Sequence, residues 1–243
     1  MSKGDVVAVG SVMQEMPSFL QGSVSARGLE NATADDLSIP RLELVQSLSP
    51  CRKKSDPSYI EGASEGMLYN SLTRELYGDS VLLIPVFYRK EYIVWKNRDA
   101  GGGFRGSYPS QQAALQALAE MPDRDSCQIQ VTAQHFCLLV RQDGGTEDIV
   151  LSLSRSKLKV SRKWNSFMKI ATGDSFSRVY KVSSVAEKNM SGQEYYNLSV
   201  AVAGYPDEAS YRKAESLYHS VASGEASVDA GGYEQLGSGF GEF

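Results

Sequence analysis

The chain has 243 residues, 42% of them hydrophobic and 22% charged, with a formal net charge of −4, which is the balance of a globular protein able to bury a core as one large domain or two small ones. No apolar run nears the roughly 20 residues of a membrane-spanning helix, and the opening MSKGDVVAVGSVMQEM lacks the charged lead and continuous apolar core of a secretory signal. Cys51, Cys127 and Cys137 are odd in number and show no C-x-x-C spacing, which points to a reducing interior without a disulfide framework and makes the N-x-S/T matches at Asn31, Asn189 and Asn197 chance occurrences.

Residues 1–35, rich in Ser, Gly and Ala, read as a flexible N-terminal arm. Order is expected from Leu37-Ser38-Ile39-Pro40, with a first strand over Arg41 to Val45, a loop from Cys51 to Gly66 and a second strand within Gly66 to Leu72. Val81 to Trp95 is the clearest β signal: the runs VLLIPVFY and YIVW flank Arg89-Lys90-Glu91, and Pro85 marks an edge or a bulge. After the loop at Gly101 to Gly103, Ser110 caps a helix that Met121-Pro122 ends. A short strand follows at Gln128 to Thr132. A hairpin then pairs Phe136–Arg141 with Ile149–Leu153 around Gly144-Gly145.

Arg155 to Ala171 has helical periodicity, with Val160, Trp164, Phe167, Met168 and Ala171 on one face and Arg155, Lys159, Arg162, Ser166 and Lys169 on the other. That spacing assigns Trp164 and Phe167 to the core, and Gly173 stops the helix. A second hairpin runs from Phe176 through a turn at Asn189 to Gly192 and back to Ala203, and Pro206 starts a last helix to about Ser220. Residues 36–221 are thus one domain, α+β and β-rich, barrel-like and compatible with an oligonucleotide-binding (OB) core, with two or three helices. Residues 222–243 read as a disordered acidic tail, since Glu225, Asp229, Glu234 and Glu242 have no compensating cation there.

Catalytic chemistry finds little support. GGGFRG at Gly101 to Gly106 matches a dinucleotide fingerprint, but Ser107-Tyr108-Pro109 stands where a helix should open. No phosphate-binding G-x-x-x-x-G-K-[ST] run occurs. His135 and His219 are isolated, without a cysteine at ligand spacing, so neither a metal site nor a cofactor is expected, and the chain is not read as an enzyme.

Charge is distributed in blocks instead. Met1 to Ile39 is net −3 and Pro206 to Phe243 net −5, so the middle is basic. Arg155 to Lys181 holds eight cations against the single acid Asp174, with Trp164, Phe167, Phe176 and Tyr180 interleaved. Phe87 to Arg98 is a second such cluster, in which strand alternation puts Tyr88, Lys90, Tyr92, Val94 and Lys96 on one face and Phe87, Arg89, Ile93 and Trp95 on the other. Cations neutralise phosphates and ring faces accept unpaired bases, so this composition suits single-stranded DNA. The residues expected to bind it are Arg89, Lys90, Tyr92, Trp95, Lys96, Arg98, Arg105, Lys159, Arg162, Lys163 and Lys169. The cations would meet phosphates, and Tyr92 or Trp95 would stack on bases. The alternative is a phage structural or assembly protein whose basic patches bind other proteins.

The runs DDLSIPRLELVQSLSP, GMLYNSLTRELYG and YIVWKNRDAGGGFRG, with the ending Gly239-Phe240-Gly241-Glu242-Phe243, resemble the single-stranded DNA-binding proteins of podophages. The resemblance implies a bacteriophage protein of the host cytoplasm, homo-oligomeric, acting in phage DNA replication or in transcription from opened promoters. It also implies a tail that recruits phage or host polymerase components through Phe240, Glu242 and Phe243.

Overall fold

The computed structural model describes residue 28 and residues 38–189, 191–224 and 227–228, with Arg98, Ser227 and Val228 described by their backbone alone. Contacts divide the chain into Met1–Ala32 and Thr33–Phe243, and all elements named here lie in the second unit. In chain order they are β1 (Ser38–Ile39), β2 (Leu42–Leu44), β3 (Leu68–Asn70), β4 (Leu76–Gly78), β5 (Ser80–Lys96), β6 (Phe104–Tyr108), α1 (Gln111–Glu120), β7 (Cys127–Val140), β8 (Thr146–Ser154), α2 (Leu158–Ile170), β9 (Val179–Lys188), β10 (Glu194–Gly204), α3 (Glu208–Ser223) and β11 (Ser227–Val228). Most of the expected N-terminal arm, together with Phe240, Glu242 and Phe243, lies outside the described residues. Within the expected tail, Ser227 and Val228 pair in parallel with Ser38 and Ile39.

The two β-rich runs around Arg89-Lys90-Glu91 form one 17-residue strand, β5, rather than two strands. Glu91 does not turn the chain because it is buried and pairs with Thr132 of β7. The expected disturbance at Pro85 is a bulge, with Val86 as the extra residue between Pro85 and Phe87. The short strand foreseen at Gln128 to Thr132 is likewise the start of the 14-residue β7.

The main sheet has six strands in the order β10-β9-β5-β7-β8, and β6 also pairs with β5. All its pairings are antiparallel. It is open, with β10 and β8 at its ends, and it does not close into a barrel. This corrects the barrel-like expectation, and the reason is that both faces are covered. One face carries Leu83, Cys137, Leu151, Tyr180 and Val200 against Val160 and Trp164 of α2 and against Leu42 and Leu68 of the small sheet β2-β3-β4. The other carries Ile84, Phe136, Leu138 and Val150 against Ala214, Leu217 and Val221 of α3. An apolar run such as VLLIPV suits a strand covered on both sides.

The ends of the sheet are protected unequally. On β8, Val150 N donates to Pro40 O at 2.8 Å, and Thr146 O accepts from Lys213 Nζ at 2.7 Å. On β10, the Gln46 amide imitates a neighbouring strand: Nε2 donates to Tyr196 O at 2.7 Å, and Tyr196 N donates to Oε1 at 3.0 Å. The approach is close, since a Cβ on Gly66 would stand 2.6 Å from the Tyr196 ring. Leu198 N then donates to Asn197 Oδ1 at 2.8 Å.

Trp164, fully buried, fixes α2 to the sheet: its ring stacks on His135 at 4.6 Å and meets Tyr180 edge-on at 5.8 Å. Nε2 of His135 lies 2.8 Å from Ser161 Oγ, and burial pushes the imidazole pKa down to about 3. As pH falls, the unfolded chain takes up this proton below about 6.5, whereas the folded chain stays neutral until about 3. The stability His135 confers is therefore complete above pH 6.5 and declines by about 1.4 kcal/mol per unit through that window. Urea midpoints measured from pH 7 down to 3 should fall less steeply in His135→Gln than in the parent, and parallel curves would refute this account.

Candidate nucleic-acid interface

Strand alternation through β5 is as expected, and it divides the anticipated DNA-binding residues between the two layers. Tyr88 faces α2, its ring 5.1 Å from that of His135, while Phe87 faces α3 and meets Tyr218 at 6.0 Å. Lys90, Tyr92 and Lys96 share the Tyr88 face by register, and Arg89 and Trp95 take the other.

Arg89 and Trp95 are absorbed into that second layer. Arg89 Nε stands 2.9 Å from Glu91 Oε1, and its guanidinium lies 5.1 Å over the Phe136 ring. Glu91 is a hub, accepting from Gln134 Nε2 and Ser107 Oγ, each at 3.2 Å. Trp95 is 8% exposed and packs edge-on against Phe104 beside Ile93. A ring buried this far is packed as a core ring, with little of its face open to a base.

Three other expected cations meet carboxylates from distant segments. Asp123, just after α1, receives Lys96 Nζ and Arg105 Nη2, both at 3.1 Å, and these bonds hold its carboxyl below the usual range. Lys159 binds Glu187 of β9 at 2.8 Å. Hydrogen bonds from Lys159, Tyr195 and Asn197 pull the Glu187 pKa down to about 2. Arg98 begins a short 3-10 turn that ends at Ala100.

Lys90, Arg162, Lys163 and Lys169 remain exposed, and no ion pair among the described residues uses any of them. Three belong to α2, whose buried side is Val160, Ser161 and Trp164, so the helical period turns Arg162 and Lys169 outward. Lys163 Nζ stands 5.5 Å from the Phe167 ring.

At the C-terminal end of α2 a shallow depression of about 760 Å³ opens between helix and sheet, lined by Tyr88, Asn165, Ser166, Met168, Lys169, Ile170 and Ser175. Tyr88 is 37% exposed and Ile170 81% exposed. Asn165 Oδ1 is buried and finds no hydrogen-bond partner among the described residues. An aromatic face, an aliphatic wall, an amide and a cation thus surround the depression. Ser166 lies on the outward helical face expected for it, whereas Asn165, Ile170 and Ser175 had no signal in the sequence beyond proximity to Lys169. Tyr88 had been placed on the correct face, beside Tyr92, which is half-buried.

Among the described residues no helix is long and apolar enough to cross a membrane, and no group of His, Cys, Asp or Glu is arranged to hold a metal ion. A family model described as Pam3 phage gp34-like protein matches residues 8–227. No curated protein and no solved structure matches the chain.

Proposed function

The chain belongs to the family of Pam3 phage gp34-like proteins, and from that premise we propose that it binds single-stranded DNA without catalysis, in phage DNA replication or transcription. The observation that carries this reading is that Lys90 of β5 and Arg162, Lys163 and Lys169 of α2 are exposed and used by no ion pair among the described residues, and that Lys169 meets the exposed Tyr88 ring at a shallow depression. Phosphates would lie along α2, and Tyr88 would offer a surface to a base, with Tyr92 next to it on the strand. Duplex DNA fits less well, because its bases are stacked inside and cannot reach such a depression. On this reading phage or host polymerase components would be recruited by the C-terminal segment that ends in Phe240, Glu242 and Phe243, and the site of action would be the host cytoplasm.

Titration of labelled oligo-dT and of duplex of equal length, at several salt concentrations, tests the proposal. For about four phosphate contacts the log–log salt slope should lie near −3 on the single strand, at roughly −0.7 per contact. Equal affinity for the duplex, or a flat salt response, would overturn it. The same protein would then be better explained as a structural or assembly component of the phage.

A further inference from the structure

The open end of the main sheet points to a second copy of this chain. Along β10, residues of even number turn their N–H and C=O away from β9, as shown by Tyr196, whose two groups bind Gln46, and by Leu198, whose N–H binds Asn197. Val200 and Val202 have the same parity, and their outward groups find no partner among the described residues. Natural edge strands are blunted by lysine, proline or a covering segment. Ala201, Val202 and Ala203 are all exposed, and none of these devices guards the strand at this point among the described residues.

We propose that two copies pair antiparallel through this stretch, about a two-fold axis at Ala201, joining their sheets into one. Val200 of each copy would then exchange both main-chain hydrogen bonds with Val202 of the other. Three observations select a second copy over a foreign strand. The open stretch is short, blocked on one side by Gln46 and Asn197 and ended on the other by the register shift between Val202 and Gly204. A symmetric pair needs only this much from each chain, whereas a longer foreign strand would run into Gln46. Self-pairing also sets identical side chains opposite one another, and Leu198 to Tyr205 contains no charge to repel its copy. Finally, Val202 is 51% exposed and Tyr205 72% exposed, and the two-fold axis would bring both against the partner's strand. The pairing does not depend on the DNA-binding reading.

Charge exchange at Ala201 tests it, because this exposed residue would face itself across the axis. By light scattering after gel filtration, the full chain should run at twice its 26.5 kDa monomer mass. Ala201→Lys and Ala201→Glu should each halve that mass, and an equimolar mixture of the two should restore it. A monomeric parent, or a dimer untouched by either variant, would overturn the pairing. A measurement without mutation reaches the same point: exchange of the Val200 and Val202 amide protons should slow as concentration rises. Protection independent of concentration would mean that the chain covers its own edge, and would equally overturn the proposal.

Discussion

Joint replacement of Lys90, Arg162, Lys163 and Lys169 by alanine should weaken oligo-dT binding by roughly four thousandfold at about 50 mM salt and leave it almost unchanged near 1 M. The size follows from counterion release: about four contacts, at roughly −0.7 each in the log–log slope, accumulate to that factor across this range of salt. The variant should remain folded, because exposed lysine on a helix gives way to a better helix former and none of the four holds an ion pair among the described residues. Lys96→Ala with Arg105→Ala is the informative control, since both cations are already committed to Asp123. Binding and salt slope should match the parent in that control. If the control loses affinity and the quadruple variant does not, the interface lies at the β5–β6 turn and not on α2.

Trp164→Ala should be the most damaging single substitution, costing about 3–5 kcal/mol of stability in urea. The indole is fully buried, stacks on His135 and meets Tyr180, so its removal leaves a cavity that three elements would have to close together. A loss below about 1 kcal/mol would mean that the layer beneath α2 can collapse around the gap. Since α2 carries three of the four cations that hold no ion pair among the described residues, affinity should fall in the same variant, and excess stabilising osmolyte should recover part of it.

Local pattern was legible and long-range partnership was not. The face assignment of Phe87 to Lys96 and the core placement of Trp164 follow from periods of 2 and 3.6, which a single segment reveals. The Ser110 cap is as read: its Oγ accepts from Ala113 N at 3.1 Å. The charge block was legible as composition but misleading as availability. Arg155 to Lys181 contains one acid, yet Lys159 finds Glu187 beyond its end, and Arg155 Nε donates to Gln130 at 2.9 Å from before its start. No windowed count can supply those partners. Trp95 illustrates the same limit from the apolar side: alternation gives its face, and only the fold shows that Phe104 covers that face. The barrel expectation failed because many short strands and many closed strands look alike in sequence; what distinguishes them is whether helices cover both faces.

The layout of β5 also has a consequence for synthesis on the ribosome. Tyr92 to Trp95 pair with β6, about a dozen residues downstream, and Leu82 to Lys96 pair with β7 soon afterwards. The slot beside Ser80 to Leu83, however, is filled by Tyr180 to Ser183 of β9, roughly a hundred residues later in the chain. For the seconds needed to make those residues, the most apolar half of the longest strand has one bare edge in a nascent chain. Chaperone capture and misassembly between neighbouring nascent chains would concentrate there, at VLLIPV, before β9 arrives.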